Sequence, residues 1–598
     1  MSAARGRTHP LPNVWGEGVL FAFSALDGPT DLRTELVATT LGDEPGFQIR
    51  YPSEGTFRPR FLVDGRAVEK PLAWAEFRLV CGDAIDVRLL LADDVAVRLR
   101  YAAVDNETFA GEISREIARE IAGEIVRESG GAVLVVELEL SAAGHASPVR
   151  TMFLGEGDPV RRCVDEGARA VFAITAGDAP RTLDFEAAFQ HRKAFFESLP
   201  VPDGCDERTA RTLLKCFSVL KVNVQSAQGD LRHRWCTPDR YPHRHMWLWD
   251  TPFEVIGLKH VAPKAAEEAI RAVLAKQRAD GFIPHMMTPD DARDSTITQS
   301  PLLCWAVWHL FESSGERAFL RDGPAFLRDD RAFLRDVFAR LVTYVRRFLA
   351  MDGNGNGLLE WRDGGFESGM DNSPRFDTTR QPDAVDLNAF VAKELACLGR
   401  IAGEIGEAET AAWCARERDR LARCLNERLW HDEDGIYYDL DPQGEHVRVK
   451  TAAAFVPLFA GVVPAERLER LVAHLTDPAE FSRPFPVSTV AADEPAYCDD
   501  MWRGPTWANV NYLVVDGLRR YGRRAEADHI ARRTIEEIVR VYHDEGVIFE
   551  FYDAEAARSP RALHRKGAVG GGWLHTCVKD YGWTAVVFVE LVLGRRSA

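Results

Sequence analysis

The chain lacks the features that would send it to a membrane or a nucleic acid. No run reaches the roughly 18 apolar residues of a membrane span. Basic residues are in deficit, 74 Lys and Arg against 91 Asp and Glu, and the net charge of −17 excludes the basic face that a phosphate backbone calls for. Eleven cysteines form an odd set with no C-x-x-C pair, so neither a zinc site nor a disulfide framework is implied. Met1 to Gly16 is polar and contains no apolar signal-peptide core, which leads us to expect a cytoplasmic protein. There is no G-x-S-x-G elbow and no Walker loop. What remains is an acidic globular enzyme or binding protein, and 598 residues are too many for one ordinary core.

The period of the apolar residues changes along the chain. Val95, Val97, Leu99 and Tyr101 alternate with polar or small residues after an Ala92-Asp93-Asp94 turn, as do Val136, Leu138 and Leu140 with Glu137 and Glu139. Period-two runs between turn signals predict an antiparallel β-sandwich over 1–195. Ile113, Ile117, Ile121 and Ile125 recur every four residues with Glu and Arg between them, which predicts a short helical insertion there.

From about Cys205 the period is helical. Twelve helices are expected, near 205–225, 250–260, 263–279, 298–314, 332–351, 385–405, 407–428, 450–460, 465–476, 505–521, 523–543 and 582–595. Twelve in alternation suit six hairpins closed into an (α/α)6 barrel over 205–598. The fold class expected is therefore mainly α, with a β-sandwich domain ahead of the barrel. Ala-Phe-Leu-Arg-Asp recurs at 318, 325 and 332, too short a repeat for a solenoid and better read as a local duplication.

Polar and aromatic clusters fall between the helical stripes, where a rigid scaffold usually carries its site. They include Met246-Trp247-Leu248-Trp249-Asp250, Thr298-Gln299-Ser300-Pro301, Glu367-Ser368-Gly369-Met370-Asp371-Asn372-Ser373-Pro374-Arg375, Met501-Trp502-Arg503-Gly504-Pro505-Thr506-Trp507 and Phe549-Glu550-Phe551-Tyr552. Asp371 and Glu550, two acids amid Trp, Tyr and Gly, are the pair that hydrolysis of a glycosidic bond needs. One protonates the leaving oxygen and the other activates water on the opposite face of the sugar.

These motifs, in this order, resemble glycoside hydrolase family 63, within it the mannosylglycerate hydrolase-like catalytic domains, and more distantly the trehalases. The resemblance covers roughly 205–598. It implies an O-glycosyl hydrolase, an inverting α-glycosidase on an (α/α)6 barrel, acting on a small α-glucoside or α-mannoside such as a disaccharide, short oligosaccharide or glycosylglycerate. Asp371 matches the family's general acid and Glu550 its general base. Trp249, Asp250, Gln299, Trp502, Arg503 and Trp507 match sugar-contacting positions, and Glu367 and Arg375 join them as candidate substrate contacts. Each of these could instead pack or fix a loop. Glu367, four residues before Asp371, could supply a like charge that keeps the acid protonated. Related mannosylglycerate hydrolases carry Tyr before Trp-Arg-Gly-Pro; Met501 stands there in this chain, which removes a hydroxyl expected near the aglycone.

Two other readings of the same residues stay open. An inverting phosphorylase would replace water by phosphate and would need extra basic groups and no general base. A carbohydrate-binding relic would need neither carboxylate. No cofactor is expected for the reaction. A structural calcium loop is a separate candidate: Asp352, Asn354, Asn356, Leu358 and Glu360 place oxygens at alternate positions with Gly357 at the sixth, although Asp363 stands at the twelfth in place of the longer Glu. The alternative is a Gly/Asn-rich turn.

Overall fold

The computed structural model describes residues 21–22 and 48–49 and, between 55 and 594, all but short interruptions, of which the longest are 118–132, 143–149, 176–182 and 321–329. It is mainly helical with antiparallel sheets. The chain divides into two compact units. The first comprises residues 1–226, 239–244 and 540–548, and the second comprises 227–238, 245–539 and 549–598.

The first unit carries two six-stranded antiparallel sheets. In one, Val95–Ala103 lies between Ala84–Ala92 and Thr108–Ile117; in the other, Gly55–Val63 pairs along its whole length with Leu134–Ala142. Val95, Val97, Leu99 and Tyr101 are fully buried, as are Val136 and Phe61; Ala96 and Ala102 are buried as well, so burial alternates along Leu134–Leu138 and not along Val95–Ala102. The expected helical insertion is corrected at its start. Ile113 and Ile117 belong to the strand Thr108–Ile117, where Ile113 faces Leu99 and is fully buried. Cross-strand pairing on both sides overrides a four-residue repeat that sequence alone reads as helical. Ile121 and Ile125 lie outside the described residues, as do the first two copies of the Ala-Phe-Leu-Arg-Asp repeat in large part.

Each of the twelve expected helical stretches meets a helix. We number the helices α1 Phe185–Phe196, α2 Glu207–Asn223, α3 Asp250–Leu258, α4 Pro263–Ala275, α5 Leu303–Leu320, α6 Asp330–Leu349, α7 Val385–Ile405, α8 Ala408–Arg428, α9 Val456–Ala460, α10 Ala465–Thr476, α11 Ala508–Arg520, α12 Arg524–Glu545 and α13 Gly582–Leu593. In the second unit α3, α5, α7, α9, α11 and α13 pack each on the next, and α13 packs back on α3, so these six close a ring. That arrangement fits an (α/α)6 barrel. The inner helices are apolar on nearly every side; α13 is buried from Gly582 to Val592, and α7 over most of its length. Outer α8 buries only Cys414, Leu421 and Leu425 along its span. Where α9 and α11 touch, Gly517 is required: a Cβ there would lie 2.7 Å from the backbone carbon of Leu458. Among the described residues no helix is long and apolar enough to cross a membrane.

Candidate active site

The candidate residues gather at the N-terminal ends of the inner helices. Asp250 opens α3, Trp507 caps α11 and Tyr581 caps α13. Indole rings form the centre of this end. Trp502 stacks on Trp507 at 3.8 Å and 10°, Trp249 lies 6.3 Å from Trp502 at 24°, and Trp507 stacks on Phe551 at 5.2 Å. All three tryptophans are buried, so their faces meet one another. The Nε1 donors of Trp249 and Trp502 have no partner among the described residues, whereas that of Trp507 donates to the Met501 carbonyl at 2.9 Å. Gly369 packs on Trp249 so closely that a Cβ would come within 2.0 Å of the ring, and its φ of +77° is itself a conformation that favours glycine.

Glu550 is buried and held by Arg565. Nε donates to Oε2 at 2.9 Å and Nη2 to Oε1 at 3.3 Å, with 1% and 2% of the two side chains exposed. Burial alone would weaken the Arg565 base, but the charge of Glu550, with Asp371 and Tyr581 adding to it, raises its pKa instead. The Glu550 segment is aligned by reciprocal bonds between Thr506 and Tyr552, 2.9 and 3.0 Å, which set it beside the tryptophan stack.

Asp371 is bound by the next residue along. Lys566 Nζ lies 2.8 Å from Asp371 Oδ2, with 29% and 27% of the side chains exposed. Consecutive basic residues thus reach the two acids, and Arg565 feels the charge of both. Three loops are tied together here. Asn372 accepts from Trp502 N at 3.0 Å, Met501 N donates to the His564 carbonyl at 3.2 Å, and Gly567 N donates to Asp500 at 2.8 Å. His285 also lies in the field of Asp371. Burial pushes its imidazole down to about 4, against the pull of that carboxylate, so it is neutral near pH 7.

The remaining sequence candidates divide. Asp250 receives the Tyr581 hydroxyl at 3.4 Å, and Gln299 Oε1 accepts from Trp249 N at 3.1 Å, which fixes the indole's backbone. Glu367 is buried and accepts from Arg362 N at 2.8 Å and Asp363 N at 3.1 Å; burial raises its pKa while these amides oppose the rise. Arg503 forms an exposed pair with Asp377 at 2.6 Å and donates to the Asn372 carbonyl at 3.2 Å, so it braces the Asp371 loop. Arg375 is turned away from this group. Its guanidinium is buried between Asp386 and Asp439, the latter at 3.0 Å, and Asp371 pairs with Lys566 instead. Sequence reasoning passed over Arg565, Lys566 and Tyr581, and gave His285, in the polar and aromatic cluster Gly281–Met286, no role. The signal available was a basic pair fifteen positions after Glu550, at the head of a Gly-rich stretch.

The 352–360 loop closes on itself. Gly357 N donates to Asp352 Oδ2 at 3.0 Å, Gly353 N to Glu360 at 3.0 Å, and the Asn354 and Asn356 amides both donate to Asp383, at 3.3 and 2.6 Å. Asp383 was not among the expected ligands. Asp352 Oδ1 is buried without a partner among the described residues. Burial raises the pKa of Glu360, and the charges of Asp383 and Asp352 add to the rise. Hard oxygen donors around an excess of negative charge suit calcium. The amide oxygens of Asn354 and Asn356 are, however, already committed to backbone N–H groups. Among the described residues no group of three or more His, Cys, Asp and Glu reaches metal-holding geometry.

Residues 241–584 match the family described as the mannosylglycerate hydrolase MGH1-like glycoside hydrolase domain. The chain is 26% identical over 444 residues to a mannosylglycerate hydrolase of Rubrobacter radiotolerans, covering 60% of this chain and 92% of that one. It is 25% identical over 460 residues to mannosylglycerate hydrolase MGH1 of Selaginella moellendorffii, covering 62% and 86%. A glycoside hydrolase family 63 mannosylglycerate hydrolase of Thermus thermophilus, solved with Tris and D-glycerate, superposes with a TM-score of 0.53 at 22% identity, over 64% of this chain and 100% of that one. The structural likeness concerns the fold.

Proposed function

The chain belongs to the mannosylglycerate hydrolase MGH1-like glycoside hydrolase family and is an O-glycosyl hydrolase, and on that premise we propose that it cleaves small α-glucosides or α-mannosides, glycosylglycerates among them, with inversion. Asp371 is the general acid and Glu550 the general base. In the step, Glu550 takes a proton from water as the water oxygen bonds to the anomeric carbon. The glycosidic C–O bond breaks on the opposite face, and Asp371 gives its proton to the leaving oxygen. Of the two contacts that Arg565 makes with Glu550, that to Oε1 is the longer, which leaves Oε1 the freer oxygen to receive the water proton.

The observation that carries this reading is the pairing of both acids by neighbouring residues, Arg565 and Lys566, which draws two carboxylates distant in sequence to one hairpin. A phosphorylase would want such basic groups for phosphate, yet Arg565 is committed to Glu550. The test is incubation of the purified chain with α-mannosyl- and α-glucosylglycerate, kojibiose, nigerose, trehalose and maltose, with and without phosphate. Release of free sugar independent of phosphate supports the reading, and phosphate-dependent release of a sugar phosphate contradicts it.

We also read the two sheets as a sandwich, because each buries apolar residues, and the compartment as cytoplasmic, because the described cysteines are free thiols. Calcium at the 352–360 loop would be structural. Millimolar calcium should then raise the melting temperature by a few degrees and Asp352→Asn should abolish the rise; an unchanged melting temperature would leave the loop a plain turn.

A further inference from the structure

We propose that Lys566 selects the leaving group, exchanging Asp371 for an anionic substituent of the departing part of the substrate; this rests on the assignment of Asp371 as general acid. An acid must lie against the oxygen it protonates, so the leaving group occupies the Asp371 side of the site. The ammonium 2.8 Å from Asp371 is within reach of the leaving group on that side. Asp371 Oδ2 is the one protein partner of Lys566 Nζ among the described residues, and an ammonium has three N–H donors to give.

The backbone marks this position as unusual. Lys566 has a φ of +53°, a left-handed conformation that a glycine would adopt without cost. The turn does not call for lysine; what lysine adds is the charge at its tip. The hairpin is pinned on both sides of it, by Arg565 N on the Ala568 carbonyl at 2.9 Å and by Gly567 N on Asp500 at 2.8 Å, so the ammonium is delivered to a fixed place. His285, which also faces Asp371, is neutral near pH 7 and does not duplicate that charge.

The pairing has a chemical consequence. A leaving group that carries a carboxylate offers Lys566 a new partner in place of Asp371, and a neutral leaving group does not.

The experiment compares α-mannosyl- and α-glucosyl-D-glycerate with the matching glycosylglycerols, using the full chain as wild type, Lys566→Gly, Lys566→Gln and Lys566→Arg, with folding followed by thermal melting. Loss of a charge-assisted contact predicts a wild-type preference for the glycerate of about 30-fold in kcat/KM. That ratio should fall to about 1–3 in the Gly and Gln variants and recover to at least about 10 in the Arg variant. A ratio that survives in Lys566→Gly or Lys566→Gln overturns the inference, as does a wild type that prefers the glycerol compounds. Failure of the wild type to cleave any of the four, or other α-glycosides, overturns the glycosidase reading and takes this inference with it.

Discussion

The two carboxylates of this site are built to opposite specifications. Glu550 is sealed from solvent and gripped at both oxygens by a guanidinium, whereas Asp371 is about a quarter exposed and touched at one oxygen by an ammonium. Arginine keeps its charge at any accessible pH and holds a planar fork, so the geometry of Glu550 is locked. Lysine is a point charge on a flexible stem and can let go. A base that acts on one small molecule, water, profits from being fixed. An acid that must meet leaving groups, and be reprotonated from solvent in each cycle, needs access and a partner that yields.

The difference predicts how the two halves break. Asp371→Asn and Glu550→Gln should each lower kcat on natural glycosides by about 10²–10⁴-fold. An activated aryl glycoside, whose leaving group needs no proton, should recover most of the loss in the first variant and none in the second, where azide should act in place of water. Identical responses of the two variants would erase the distinction between acid and base.

Stability sharpens the contrast. Arg565→Met leaves a buried carboxylate unpaired and should cost roughly 3–5 kcal/mol. Lys566→Gly removes a partly exposed pair and relieves a left-handed backbone, so its stability should change by less than about 1 kcal/mol. Denaturant unfolding of the two variants measures both, and equal losses would mean that the pairs are alike.

A further effect is in pH. His285 stands at about 4 in the folded chain and near 6.5 when unfolded. Between those values the unfolded chain binds the proton first, so stability is full above about pH 6.5 and declines as pH falls toward 4. His285→Gln should flatten that decline by something on the order of 2 kcal/mol, discounted for its partial exposure. An unchanged acid limb would remove His285 from the Asp371 side of the comparison.

How much of this was legible in the sequence follows from the range of each interaction. The helical stripes of α6, α7 and α13 and the alternation from Val95 to Tyr101 are local periods, and local periods survive folding when tertiary packing agrees with them. The isoleucine repeat at 113 and 117 did not, because a strand neighbour on each side offered more than helical spacing could. Asp371 and Glu550 stand out by their motifs. Arg375 sits in the same motif and reads as a site residue, yet Asp386 and Asp439, which claim it, lie 11 and 64 positions away. Arg565 and Lys566 matter because a hairpin folds back onto two distant loops, and the basic pair ahead of a Gly-rich stretch does not by itself announce that. The tryptophans read as sugar platforms in the sequence; burial shows their faces spent on one another, with the Nε1 edges of Trp249 and Trp502 still unpartnered among the described residues.

Proton NMR of the first sugar released from an α-linked substrate, recorded before mutarotation, tests the central claim most directly. If Asp371 and Glu550 work from opposite faces through a single displacement, the β-anomer appears first. An α-anomer at the earliest times would mean a covalent or same-face route, and the division of labour between the two acids would be wrong.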